Sequence, residues 1–374
     1  MRRKRLFFLG PLPPPVHGFS AINAELAREL ARHYDVTVFN RAAPLRLGAG
    51  RLSRVTALLS ASVVLWCGFI KQIFLRRPAA LYVGVSGGGG QWIDLAFVAA
   101  AKLARVPMVL HHHSFAYLNK PNLVSHLLMF AARGATQVVL CEAMGDLLAK
   151  RYQVKVSDKY VLSNAAFVEQ NDQRIASSRG VLRVGFLSNI SEEKGIFDFF
   201  AVISALSSAG IAVEARIAGP LAQNIVDRFA SELSRVLVAT HVGPVYGDAK
   251  RRFLAELDIL LFPTRYVNEA QPVTVFEAMS AGLVVFASKR SCIDEMIAAD
   301  AGKVVSIGDF SEVVVENIIW LEADRESLFQ AQLCAQVRFR ALREASRAQM
   351  EALVSRWTAT PAEESDALKE DVAR

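Results

Sequence analysis

Acidic residues are scarce in the first part of this chain. Residues 1–160 hold 7 Asp and Glu against 21 Lys and Arg, whereas the rest of the 374 residues holds 29 against 22. A basic N-terminal part and an acidic C-terminal part point to one lobe that meets an anionic surface or acceptor. Nucleic acid is disfavoured as that partner, because no RNA or DNA module motif occurs and the basic residues are scattered rather than interleaved with aromatics. Cysteine is rare as well. Cys67, Cys141, Cys292 and Cys334 lie far apart with no C-x-x-C spacing, which argues against a zinc site or a disulfide framework and fits a reducing compartment. The start MRRKRLFFLG is basic and then apolar, but LFFLG before PLPPP is too short for the apolar core of a signal peptide and reads as a first strand. No G-x-G-x-x-G follows that strand, so a dinucleotide oxidoreductase is disfavoured.

Apolar residues, by contrast, are abundant, at 52% with a mean hydropathy of +0.27, which directs attention to membrane contact. The longest uncharged apolar run, VTALLSASVVLWCGFI at 55–70, falls short of the ~20 residues a span needs. It is bracketed by Arg51, Arg54, Lys71, Arg76 and Arg77. Two readings are open: a helix packed on the N-terminal sheet, or an interfacial helix whose basic flanks suit anionic headgroups.

The apolar pattern otherwise alternates strand and helix. RLFFLG (5–10) and DVTVF (35–39) flank a segment in which Ile22, Leu26 and Leu30 share one helical face. ALYVGVS (80–86), a helix around 92–104, PMVLHHH (107–113) and TQVVLCE (136–142) continue the series. After VLSNAAF (161–167) and a polar stretch, a second series runs through 181–188, 212–219, 239–245, 258–263, 283–288 and 302–306. Strands this uniformly apolar belong to parallel sheets buried on both faces. The expectation is an α/β chain of two doubly wound, Rossmann-like domains facing across a cleft, spanning 1–165 and 166–335, with a C-terminal segment at 336–374.

Within the second series, NEAQPVTVFEAMSAG (268–282) places Glu269 in a loop after the strand DILLF and Glu277 in the body of a helix over 273–281. Pro272 suits the helix start and Gly282 the C-terminal cap. Backbone N–H groups around Gln271–Thr274 point out of the helix start as an anion site, flanked by two carboxylates able to accept from hydroxyls. Phosphate plus polyol points to a nucleotide sugar; two surface glutamates on a solvated helix are the plainer reading of this stretch alone. In the run HHH, strand alternation puts only His111 and His113 on one face, and no third ligand cluster accompanies them, so no metal site is expected.

Five segments in order, LGPLPPPVHGFSAIN, VLHHHSF, VLSNAAF, GFLSNISEEKGI and NEAQPVTVFEAMSAG, resemble the retaining glycosyltransferases of family 4, which have the GT-B fold. The likeness covers nearly the whole chain, and the last segment carries the family's Glu–seven residues–Glu pattern. The resemblance implies a C-terminal helix that crosses back to the N-terminal domain. It implies a UDP- or GDP-linked sugar as donor, a glycan or lipid-linked acceptor, no cofactor and no metal; the basic N-terminal part and its apolar run point to bacterial surface polysaccharide synthesis at the cytoplasmic side of the membrane. It assigns Glu269 to the donor sugar and its developing charge, Glu277 to the ribose hydroxyls, and His113 to the vicinity of the transferred sugar. Donor binding falls to Gly18, Asn189, Lys194, Gln271, Pro272, Val273 and Thr274, with Lys194 on the diphosphate. Gly219, Gly243 and Tyr246 are assigned to the base pocket. One departure stands out: the family commonly carries an Arg six residues before the Lys, and that position is Ser188. A non-catalytic sugar-nucleotide or glycan-binding scaffold, and a sugar-nucleotide epimerase of the same fold, are the competing readings.

Overall fold

A computed structural model describes residues 3–14, 18–42, 51–154, 159–170 and 180–358, with backbone alone for 51–59 and 357–358. Residues 15–17 of LGPLPPPVHGFSAIN, most of the polar stretch after VLSNAAF (171–179) and the part of the C-terminal segment beyond 358 lie outside the described residues. The chain divides into two compact units, one of residues 1–163 and 345–374, the other of residues 164–344.

The first unit runs β1 (Arg5–Gly10), α1 (Gly18–Ala31), β2 (Asp35–Asn40), α2 (Arg51–Arg76), β3 (Ala80–Val85), α3 (Gln91–Leu103), β4 (Met108–His112), α4 (Ala116–Asn119), α5 (Leu123–Ala131), β5 (Thr136–Val139), α6 (Glu142–Tyr152) and β6 (Lys159–Val161). Its sheet has the order β2-β1-β3-β4-β5-β6, and every pair is parallel. Right-handed crossovers put the helices that lead from β2 to β3, β3 to β4 and β4 to β5 on one face of this sheet, and α1, which leads the opposite way, on the other. The expected face of α1 is buried, with Ile22, Leu26 and Leu30 withdrawn from water. The run at 55–70 lies within α2, whose Phe69 and Ile73 are buried; Phe69 meets Phe39 and Phe97 at centroid distances of 5.1 and 4.8 Å.

The second unit runs β7 (Leu182–Leu187), α7 (Ile196–Ser208), β8 (Val213–Ala218), α8 (Val226–Arg235), β9 (Ala239–His241), α9 (Gly247–Ala255), β10 (Ile259–Phe262), α10 (Val273–Ser280), β11 (Val284–Ser288), α11 (Ile293–Met296), β12 (Gly302–Val305), α12 (Phe310–Ala323) and α13 (Arg325–Thr358). Its sheet is β12-β11-β10-β7-β8-β9, again parallel throughout. Alternate residues of the central strands feed two separate cores. Val184, Phe186, Ile259, Leu261, Val284 and Phe286 pack on one face, and Leu187, Leu260, Phe262, Val285 and Ala287 on the other. This two-sided burial is why the strands read as continuous apolar runs rather than as alternation. Each such Val, Leu, Ile or Phe side chain contributes about 1.5–3 kcal/mol by leaving water.

The structure revises several expectations. HVGPV is a strand only as far as His241. Helices α5 and α6 and strand β6 complete the first unit beyond the segments read as elements. The last helix begins at Arg325, and its residues from 345 onward belong to the first unit, where the Tyr34 hydroxyl donates to the Val354 carbonyl at 2.7 Å. Cys67 and Cys334 are free thiols.

Candidate functional site

Strand order locates the site before any side chain does. In the second sheet the chain moves outward from β7 through β8 to β9, then returns to β10 and leaves in the opposite direction. The loops after β7 and β10 therefore diverge, and a crevice opens at the carboxyl ends of these two neighbours. Lys194 lies on the first loop and Glu269 on the second.

Lys194 ends a single 3-10 turn, Glu192–Lys194, whose N-cap Ser191 accepts the Lys194 N–H at 3.3 Å. Gly195 follows with φ +79°, and a Cβ there would stand 1.9 Å from the Pro263 carbonyl oxygen. Only glycine permits the two loops to approach this closely. The loops are also tied by hydrogen bonds. The Arg265 N–H donates to Glu193 O at 2.8 Å, and its guanidinium forks onto Asp198 at 2.6 and 2.7 Å. The result is an ion pair between Lys194 Nζ and Glu269 Oε2. Thr264 Oγ1 donates to the same carboxylate oxygen at 3.2 Å, and the Tyr266 ring lies 5.0 Å from the ammonium. Both charged side chains are largely withdrawn from solvent, so the pair is screened less than a surface one.

Helix α10 starts as the sequence indicates. Pro272 is its N-cap, with φ −68° and ψ 123°, and Gly282 follows its end at φ +78°. Among the described residues no protein acceptor takes the N–H of Val273 or Thr274, which leaves two donors at the positive end of the helix dipole. Glu277, one turn further on, pairs through Oε1 with Lys250 Nζ of α9. Its other oxygen, Oε2, is buried without a hydrogen-bond partner. An ionised carboxylate oxygen in that state is costly unless a donor arrives.

Gln271 is bonded to Asn164. Its Oε1 accepts the Asn164 N–H at 2.7 Å and its carbonyl accepts Asn164 Nδ2 at 2.8 Å, so Gln271 braces Asn164 against the helix start. Asn189 is exposed beside Ser188. Gly219 has φ +136°, and a Cβ there would stand 1.8 Å from the Ser188 carbonyl oxygen; its N–H donates to Gly243 O at 2.9 Å and its carbonyl meets His241 Nε2 at 3.2 Å. Gly219 and Gly243 thus come together at the ends of β8 and β9, and close backbone approach accounts for the first of them. Tyr246 is exposed at the start of α9, one turn before Lys250.

In the first unit, Gly18 opens α1, and a Cβ there would meet nothing within 4 Å. The protein's own packing places no demand for glycine at that position. His111 and His113 share a face as alternation requires, with ring centroids 3.9 Å apart, and Phe19 of α1 lies 4.6 Å from His113. Burial lowers the His113 pKa to about 3 and that of His112 to about 4, because an imidazolium there would lose its hydration. His112 is fully engaged: Nε2 meets Gln137 Oε1 at 2.8 Å and Nδ1 meets the Tyr117 hydroxyl at 2.6 Å. His111 is engaged only in part: its Nδ1 meets the Tyr82 hydroxyl at 2.6 Å while Nε2 has no partner. His113 Nε2 and Asn23 Oδ1 are likewise buried and unpartnered.

Sequence reasoning missed Lys250, Thr264 and Asn23. None belongs to a motif segment that signals chemistry except Asn23, which closes LGPLPPPVHGFSAIN without any mark of its polar burial.

Residues 181–324 match the family model described as glycosyl transferases group 1. No curated protein sequence matches the chain. Among solved structures it is similar to HepE from Anabaena in complex with UDP and glucose, at 17% identity and a TM-score of 0.67, covering 94% of this chain and 100% of that one. A glycosyltransferase from Rickettsia africae is similar at 11% identity and a TM-score of 0.70, covering 96% and 100%. WaaG, a glycosyltransferase involved in lipopolysaccharide biosynthesis, is similar at 13% identity and a TM-score of 0.61, covering 95% and 100%. At these identities the likeness shows the fold, and the fold is GT-B.

Proposed function

We propose that this chain transfers a sugar from a nucleoside-diphosphate donor to a glycan or lipid-linked acceptor with retention of configuration. The observation that carries the reading is the start of α10. Two unused amides, a lysine held by a carboxylate, and a second carboxylate with one buried, partnerless oxygen all gather at one topological switch point. The match to glycosyl transferases group 1 over the same stretch supports it, as do the UDP complexes of HepE.

Each group then has a chemical task. Phosphate oxygens of the donor accept from the Val273 and Thr274 amides, and Lys194 supplies a cation to the diphosphate. A ribose hydroxyl donates to Glu277 Oε2 and removes its deficit. Lys250 pairs with that carboxylate and is the second cation of the site, in a place unlike the family's Arg. Tyr246 and the backbone of Gly219 and Gly243 line the base, with Asn189 at the rim of the phosphates. As the bond from the anomeric carbon to the phosphate oxygen breaks, its electron pair goes to the leaving diphosphate, stabilised by fixed dipoles and Lys194. Glu269 stabilises positive charge on the sugar. The acceptor oxygen bonds to the anomeric carbon from the same face, and its proton passes to the departing phosphate oxygen. In the first unit, His113 offers a neutral ring nitrogen to a sugar hydroxyl, and Gly18 leaves room for close backbone approach. No metal or cofactor enters this scheme. The pathway we propose is bacterial surface polysaccharide synthesis, in line with the WaaG likeness, with the chain cytoplasmic and peripheral on a membrane.

A thermal-shift panel of nucleosides, nucleoside diphosphates and nucleotide sugars tests the reading. A ligand at a hundred times its dissociation constant stabilises by about 2.7 kcal/mol. The matching nucleoside diphosphate should do so, and product NMR with the competent donor should show the donor's anomeric configuration. Stabilisation by no nucleotide at all would end the proposal. Stabilisation by the sugar nucleotide without transfer to any glycan acceptor would favour the binding scaffold, for which Ser188 is the supporting residue.

A further inference from the structure

The outer surfaces of α2, α3 and α5 invert the usual polarity of a helix. In α3 the one acidic residue, Asp94, is fully buried and paired with Arg41, while Trp92 and Leu103 point outward, 56% and 84% exposed. Helix α5, LVSHLLMFA, contains no charged residue and exposes Leu123 (69%) and Phe130 (61%) on one side. Helix α2 adds exposed Val63, Val64, Phe74 and Leu75. Single exposed apolar side chains need no explanation, but an apolar surface continuing over three neighbouring helices marks an interaction face.

These helices are neighbours. All three follow crossovers of one hand in one direction across the sheet, so they cover the same face. Phe69 of α2 packs on Phe97 of α3 at 4.8 Å. At the far ends, Lys102 Nζ donates to the Arg133 carbonyl at 2.5 Å, joining the ends of α3 and α5, and the Arg133 guanidinium lies 4.4 Å over the Phe130 ring.

Charge identifies the occupant. Between residues 36 and 141 the sequence has a single carboxylate, Asp94, and it is buried. The rim of the face carries exposed Lys71, Arg76, Lys102, Arg105, Lys120 and Arg133. A second copy would bring the same cations against these and be repelled. A lipid surface provides phosphate headgroups for the rim and acyl chains for Phe74, Leu103, Leu123 and Phe130, with Trp92 suited to the boundary. No helix among the described residues is long and apolar enough to cross a membrane, so contact is from one side.

We propose that the face formed by α2, α3 and α5 is a docking surface for an anionic lipid membrane. The inference rests on the membrane location proposed above, and not on the transfer chemistry.

The test uses the purified full-length chain and flotation with phosphatidylcholine vesicles with and without phosphatidylglycerol. Binding should require phosphatidylglycerol and fall as salt rises. L103E and F130E together should lower vesicle affinity about tenfold or more, while leaving the melting temperature and the shift produced by a nucleoside diphosphate unchanged. Because both side chains are exposed, folding should survive. Brominated lipid, which quenches tryptophan on contact, should quench less in W92F than in the parent, giving a readout free of added charge. Absence of binding to phosphatidylglycerol vesicles would overturn both the membrane location and this face. Binding unchanged in L103E/F130E would overturn the face alone, as would concentration-dependent self-association abolished by the same pair. A nucleotide shift retained in each case would leave the transfer proposal intact.

Discussion

Lys194 and Glu269 stand 75 residues apart in the chain and form an ion pair at the carboxyl ends of β7 and β10. The pair means that the proposed diphosphate cation already has a counter-ion before a donor arrives. Diphosphate and carboxylate therefore compete for one ammonium. Glu269→Gln should release it, so a nucleoside diphosphate should bind about twofold to fivefold more tightly by calorimetry. Turnover with a competent donor should nonetheless fall about a hundredfold or more, since the carboxylate is assigned to charge that exists only in the transition state. Full turnover in this variant would remove Glu269 from the chemistry.

Lys194→Ala should weaken the nucleoside diphosphate by about tenfold and the matching nucleoside hardly at all. Equal loss for both ligands would make Lys194 a support for the loop rather than a phosphate contact.

Glu277 has one oxygen on Lys250 and one buried without a partner. Glu277→Gln should weaken a ribonucleotide about tenfold, the order of a lost hydrogen bond to a charged group. The corresponding 2′-deoxy nucleotide should change much less, and a titration comparing the two ligands decides the matter.

The glycines near the proposed base pocket should separate by role. Gly219→Ala meets both a positive φ and a backbone oxygen 1.8 Å away, and should cost about 2–4 kcal/mol in denaturant unfolding. At Gly243, where φ is +79° and the space is open, Ala should cost only about 1 kcal/mol. Equal costs would contradict this backbone geometry.

Burial of His112 and His113 also fixes a pH dependence. Their folded pKa values, about 4 and 3, lie below the ordinary value near 6.5. The unfolded chain therefore binds more protons than the folded one between these limits. Their contribution to stability is complete above about pH 6.5 and is lost as pH falls toward 4, with a slope of up to about 1.4 kcal/mol per pH unit for each group. His112→Gln should flatten that slope between pH 6.5 and 4, measured by denaturant midpoints across the range. An unchanged slope would show that His112 is not the group responsible.

Local geometry was legible in the sequence because it is a property of neighbours along the chain. Apolar runs marked the six strands of the second unit, and Pro272 and Gly282 bounded α10. Glu269 in a loop and Glu277 in a helix followed from those two residues alone. The alternation that puts His111 and His113 on one face is equally local. The outward polarity of α3 and α5 was not legible, because a segment apolar on both sides has no period that tells core from surface.

Tertiary structure alone decided what meets the site residues. Lys250 reaches Glu277, Gln271 turns to Asn164, and Gly219 lies against Ser188 because parallel strands deliver their following loops to one edge of the sheet. Which loops become neighbours there depends on strand order, and strand order is written in no single stretch of sequence. The unpaired oxygen of Glu277 arises in the same way, since packing around α10 removes water from it while Lys250 satisfies only its twin.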